Sequence, residues 1–306
     1  MYKMFRQICQ MSQEVLKDYL SNKLHETHSS VVIGDGFVYA QGKFPVLLVA
    51  HLDTVHKELP KTFEYEAISK SLSSPEGIGG DDRCGVYMIL QLVKHYNCSV
   101  LFCEDEEIGG VGAEKFVNTK LAKGLTFNYI IEFDRKGSND AVFYNCKNQE
   151  FEEFITSKYY RTAYGSFSDI SIIAPALGCA AVNLSCGYYN AHTKNEFVVM
   201  PEMENGIIAA RYILERTTEN DKFEYIEDSY VYDDWFGFDA IGYNGAEDQN
   251  CYIIEYYDEE FNEAIIDVYA RSEEEAIGKF CMANCNIPFG NVFYISEESQ
   301  TIGCNQ

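Results

Sequence analysis

The 306-residue sequence contains no long apolar run. The longest clean stretch, Pro45 to Ala50, falls far short of the roughly 20 residues that a membrane helix needs, so no membrane partner is expected. The opening decapeptide MYKMFRQICQ has neither an apolar stretch nor a small-residue cleavage site, so no secretory leader is expected and a cytoplasmic location is. Positive charge is scarce: 24 Lys and Arg stand against 48 Asp and Glu, a net charge of -24. Phosphate binding needs clustered Lys and Arg, so nucleic acid is not expected as a partner. Internal repeats and low-complexity tracts are also missing. What is there is a chain with 46% hydrophobic residues, enough to bury a sizeable core and to exclude wholesale disorder. The cysteine count, 11, is odd. Without an export signal these residues read as reduced thiols, most of them small core hydrophobes. Cys281 and Cys285, in CMANC, could form half of a metal site, but no second Cys or His pair lies near them.

The charge is unevenly spread. Residues 219–306 carry 21 acidic and 3 basic residues, whereas 1–218 carry 27 and 21. A domain boundary is therefore placed at 218/219. Before it, helical spacing over 4–20 leads into short extended runs at Val31–Ile33 and Phe37–Ala40. Val46–Ala50, VLLVA, has the continuous apolar character of a central buried strand. Helices are expected at 85–93, 113–121, 151–158, 169–176 and 203–214, and strands at 100–103, 129–133 and 180–184. This alternation predicts an α/β fold, a three-layer sandwich with a mostly parallel central sheet. The tail predicts two strands (252–257 and 264–269) joined by a turn at 258–262, a helix at 272–282 and a third strand at 291–295. Together these form a small α+β module of ββαβ order behind an acidic, aromatic connector at 223–249. The tail could shape the rim of a cleft, or serve as a surface for homo-oligomer formation.

Five segments carry metal-ligand chemistry at predicted strand ends or helix starts, where α/β folds gather their binding residues. His51-Leu-Asp53 places two residues on one face of an extended segment, so that Asp53 can orient the ring of His51. Gly79-Gly-Asp81-Asp82 opens a helix. Glu104-Asp-Glu106-Glu107 follows the strand VLFC, and a bound dication would offset the repulsion among its carboxylates. Asp134 ends YIIEFD, and His192 lies in NAHTKNEF. Each segment alone also suits a capped helix or a solvated loop. Two His and three carboxylates can hold two metal ions when one Asp bridges and each ion takes one His and one further carboxylate. Such N and O donors suit zinc, or cobalt or manganese.

HLDTV, GGDD, EDEEIGG, EFD and AHTKNEF, in this order over residues 51–192, resemble the dinuclear zinc exopeptidases. That superfamily holds peptidase T, the bacterial aminopeptidases and the acyl-amino-acid deacylases. The resemblance implies that His51 and Asp134 hold one zinc, Glu107 and His192 the other, and that Asp81 bridges both through a residue whose bond to Asp82 is cis. It implies Asp53 as the residue orienting His51 and Glu106 as the general base. Asp134 and His192 are only 58 positions apart, too few for the lid domain that peptidase T and the deacylases carry there, which resembles the lidless aminopeptidases. The implied function is hydrolysis of the amide bond of short peptides. The rival substrate is an N-acyl amino acid, and a metal-free binding protein is the alternative of another class. Ser168 and Asp169 are candidate substrate contacts, with helix capping as the other reading. Tyr188 and Tyr189 could donate to an oxyanion, although Ala191 stands where some aminopeptidases have a Tyr. His25 and His28 read as solvated, His56 as a possible substrate contact. Arg83, Arg135 and Lys136 could balance charge or hold a substrate carboxylate.

Overall fold

The computed structural model describes residues 2–227, 250–257, 263–270 and 292–297. The chain divides into two compact units, Met1–Tyr232 and Asp233–Gln306.

The first unit is built on an eight-stranded sheet. Its strands are β1 (Val31–Gly34), β2 (Phe37–Ala40), β3 (Phe44–His51), β6 (Cys98–Cys103), β7 (Tyr129–Arg135), β8 (Asp140–Val142), β9 (Arg161–Ala163) and β10 (Ala181–Ser185). The spatial order is β1-β2-β6-β3-β7-β10-β8-β9. The four central strands, β6, β3, β7 and β10, run parallel, while the β1–β2 hairpin and β8 attach antiparallel at either side. Central parallel strands are covered on both faces, which is why VLLVA reads as continuously apolar. Successive side chains alternate between two cores: Val46, Leu48 and Ala50 enter one, Leu47 and Val49 the other. The first core is closed by α1 (Lys3–Cys9), α3 (Gly80–Leu92), α5 (Gln149–Thr156) and α7 (Met200–Arg216), and the second by α4 (Val111–Val117) and α6 (Ile170–Leu177). This is the three-layer α/β architecture expected from the sequence.

Four details differ. The helical pattern over 4–20 is split into α1 and α2 (Gln13–Leu24), because the Ser12 side chain accepts from the Val15 N–H and starts a new helix. A second, four-stranded antiparallel sheet was not foreseen. It joins β4 (Glu64–Glu66), β5 (Ser71–Ser73), β11 (Tyr188–Tyr189) and β12 (Phe197–Val199), strands of two or three residues that carry almost no periodic signal. The first unit also runs past the boundary drawn at 218. The Phe223 ring packs on Tyr129, Phe151 and Phe154, and bridges pair Cys179 with Glu224 and Cys146 with Glu227. His28 is buried, not solvated, with Nε2 2.7 Å from the Cys98 carbonyl.

In the second unit, β13 (Asn250–Tyr257) lies between β14 (Glu263–Ala270) and β15 (Val292–Glu297), antiparallel to both. Tyr252 and Ile254, two apart on one face, are buried. The helix expected at 272–282, the turn at 258–262 and the Cys281–Cys285 pair lie outside the described residues. Among the described residues, no helix is long and apolar enough to cross a membrane.

Candidate metal centre

The parallel register pairs His51 with Cys103 and Val49 with Glu132, so β3, β6 and β7 end along one edge. His51 is the last residue of β3, Asp134 is the penultimate residue of β7, and Glu106 and Glu107 follow β6. Asp81 enters at the start of α3, and His192 from the loop between β11 and β12.

The five candidate ligands meet as two groups sharing one residue: His51, Asp81 and Asp134, and Asp81, Glu107 and His192. Within each group the donor atoms lie within 4.8 Å of one another. Asp81 presents Oδ1 to His51 Nε2 at 3.1 Å and Oδ2 to His192 Nε2 at 3.3 Å. Asp134 Oδ1 lies 3.5 Å from His51 Nε2, and Glu107 Oε2 lies 3.1 Å from His192 Nε2. The Asp81–Asp82 peptide is cis, as expected.

Asp53 has two tasks. Its Oδ1 lies 3.1 Å from His51 Nδ1, and its two oxygens accept the N–H groups of Glu106 and Glu107, each at 3.0 Å. One carboxylate thus orients the ring and pins the loop that carries both glutamates. The loop is held from its other side by Gln13, whose Nε2 donates to Asp105 Oδ1, and by the Lys17–Glu104 ion pair. Asp82 is fully buried and accepts from the His51 and Gly85 N–H groups. Gly85 is required by close approach: a Cβ there would stand 1.9 Å from the Phe133 carbonyl oxygen. Asn183 grips the Asp134 backbone, accepting its N–H and donating to its carbonyl.

The electrostatics show an excess of negative charge. Burial, then the Asp134, Asp169 and Asp81 charges, push Glu106 up to about 10, against the pull of His51. Burial and the Asp81 charge push Asp134 up to about 7. Hydrogen bonds to Asp81 and Glu107 raise His192 to about 11. Although burial opposes it, His51 is also raised, by the Asp134 charge and by bonds to Asp134, Asp53 and Asp81. Asp81 is buried, yet its two histidine contacts hold it well below the usual carboxylate range. One buried oxygen of Glu107, Oε1, has no hydrogen-bond partner. Crowded carboxylates, two imidazoles aimed at one of them and an orphaned oxygen are what divalent cations would satisfy, so the donor set fits a metal pair.

Other candidates take different places. Ser168 and Asp169 are fully buried: Ser168 Oγ donates to Glu132, and neither Asp169 oxygen has a partner. Asp169 precedes α6 without capping it through its side chain. Tyr189 points to Glu202 at 2.5 Å and stacks on Phe197, whereas the Tyr188 hydroxyl donates to Asp134 Oδ1 at 3.2 Å. Arg83 is buried and donates to the carbonyls of Leu52 and Met11, so it braces backbone and does not face a substrate. Arg135 lies 3.7 Å from Asp140. The residue missed is Glu196, which accepts from the Gly79 and Asp81 N–H groups and lies 2.7 Å from His56. It stands in NAHTKNEF, the motif chosen for its histidine alone.

No family model matches this sequence, and no curated protein does. Solved structures match the fold. Aminopeptidase PepT from Bacillus cereus aligns with a TM-score of 0.55 at 13% identity over 69% of this chain and 96% of its own. Aminopeptidase APDkam598 from the archaeon Desulfurococcus kamchatkensis gives 0.55 at 15%, over 71% and 94%. The Pyrococcus horikoshii TET1 peptidase, which can assemble into a tetrahedron or a large octahedral shell, gives 0.52 at 14%, over 69% and 97%. The chain shares the fold of these peptidases.

Proposed function

We propose that the protein is a dinuclear metallohydrolase that cleaves the amide bond of short peptides, an aminopeptidase acting in the cytoplasm. The observation that carries this reading is Asp81, whose two oxygens face two separate histidine–carboxylate groups. His51 and Asp134 would hold one ion, Glu107 and His192 the other, with Asp81 shared. Zinc suits these donors, with cobalt or manganese as alternatives. When bound, such ions acidify water and polarise a carbonyl.

The chain's own residues do the rest. Glu106, fixed through its N–H to Asp53, takes the proton of the attacking water and returns it to the leaving nitrogen. It can act as a base only when its raised pKa falls, and positive charge in the cluster lowers it. Asp53 keeps the His51 tautomer with Nε2 free to bind. The seven cysteines of residues 2–227 are all buried and free, which supports a reducing compartment. The assembling TET1 neighbour supports a homo-oligomer.

The test pairs metal content of natively purified protein with a panel of aminoacyl-arylamides and their N-acetyl forms. Two zinc per chain with cleavage of only the free-amine substrates is the expected result. Cleavage of only the acylated forms would make the protein a deacylase. Absence of metal would contradict the enzymatic reading.

A further inference from the structure

We propose that Glu196 is a positioning residue that couples the Asp81 loop to the His192 segment, so that the second ion depends on it more strongly than the first. Its carboxylate is completely buried. Oε1 accepts the Asp81 N–H at 2.9 Å, and Oε2 accepts the Gly79 N–H at 2.9 Å and meets His56 Nε2 at 2.7 Å. A buried carboxylate costs several kcal/mol unless its lone pairs are satisfied, so three donors converging on one is a built arrangement. Gly79 reaches its place with φ 65, which glycine adopts without strain. The His56 ring fills the space beside Gly77, where a Cβ would come within 2.3 Å of it.

The other end of Glu196 is what makes the coupling specific. Its N–H donates to the Thr193 carbonyl at 3.2 Å, and the Thr193 N–H donates to Asn190 at 3.3 Å. That turn carries His192, itself at φ 64 with a side chain 53% exposed. The turn is also tied within itself by the Thr193 hydroxyl, which donates to the Asn190 carbonyl and accepts the Asn195 N–H, and is closed by the β11–β12 pairing, but among these residues Glu196 alone reaches the Asp81 loop through its side chain. The first group has its own braces: Asp53 on the His51 ring, Asp82 on its N–H, and Asn183 on the Asp134 backbone. Loss of the Glu196 clamp therefore loosens His192 and Asp81 relative to each other, while His51 and Asp134 stay where they are.

This inference rests on the two-ion reading, and one titration separates the two. Full-length protein stripped by chelator is titrated with zinc alone, and the two dissociation constants are read by competition with a chromophoric chelator. Glu196→Gln keeps the size but turns an NH2 group towards N–H donors. The second equivalent is expected to weaken by about 10- to 100-fold and the first by less than about 3-fold. His56→Ala, which removes one donor and leaves the backbone bonds, is expected to shift the second equivalent in the same direction by less, and it serves if Glu196→Gln does not fold. Wild-type affinity at both equivalents in these variants, or equal weakening of both, would overturn the proposal. Fewer than two ions in the wild-type chain would overturn the two-ion reading itself.

Discussion

The two halves of the candidate centre are built differently. His51 closes a strand whose last six residues are buried, and Asp134 lies on the neighbouring parallel strand. Their positions follow from sheet register and a packed core. Glu107 and His192 come from loops, and the His192 side chain is half exposed. Their positions follow from side-chain clamps, by Asp53 on one loop and Glu196 on the other. A ligand on a strand is placed by the fold. A ligand on a loop must be placed by hydrogen bonds, and those bonds are where the site can be weakened selectively.

Substitutions can erase, preserve or tilt this asymmetry. The largest effect is expected from Asp81→Ala, which removes the residue both halves share. It should abolish binding of both ions and turnover together, as elemental analysis and the arylamide assay would show. Retention of one tightly held ion would mean that the halves are independent. Glu106→Gln belongs to neither half. It should keep two ions while kcat falls by about 10²- to 10⁴-fold, with KM nearly unchanged. Near-wild-type turnover would remove Glu106 from the role of base. Asp53→Asn touches both halves through His51 and the glutamate loop, so zinc affinity should fall by about 10- to 100-fold.

Acidity tests the charge balance. For the metal-free chain, Glu106 (about 10), Asp134 (about 7) and Asp169 (about 7) all have pKa values raised by folding. A raised carboxyl contributes stability below its unfolded value, near pH 4, and loses it as pH rises through the folded value. His192, also raised, loses its contribution progressively from its ordinary value of 6.5 up to about 11, in the same direction. The chelator-treated protein should therefore melt at a lower Tm at pH 8 than at pH 5.5, and the Tm gain on adding zinc should grow with pH. A zinc gain that shrinks with pH would contradict the carboxylate excess. The smallest effect is expected for Tyr189→Phe. Its hydroxyl meets Glu202, away from the centre, so turnover should change by less than about 2-fold, within the range of surface substitutions.

Much of the fold could be read in the sequence, and so could the residues that meet in the candidate centre, because both rest on local patterns. VLLVA announces a central strand by being apolar throughout, and His51, Asp81, Glu107, Asp134 and His192 stand at the ends of such elements. What could not be read depends on partners far away in the chain. Glu196 looks like any polar loop residue until Gly79 and Asp81, more than a hundred positions earlier, bring their N–H groups to it. Arg83 looks like a charge beside a ligand until burial turns it onto two carbonyls. Ser168 and Asp169 look like substrate contacts or helix caps until both are buried and Ser168 turns to Glu132 on β7. The β4–β5–β12–β11 sheet is assembled from strands too short to show a period.

The most direct test of a shared-carboxylate, two-ion centre is anomalous scattering from zinc-loaded crystals at the zinc edge. Two peaks roughly 3.5–4 Å apart are expected, one among His51, Asp81 and Asp134 and one among Asp81, Glu107 and His192. A single peak, or two peaks that do not share Asp81, would contradict it.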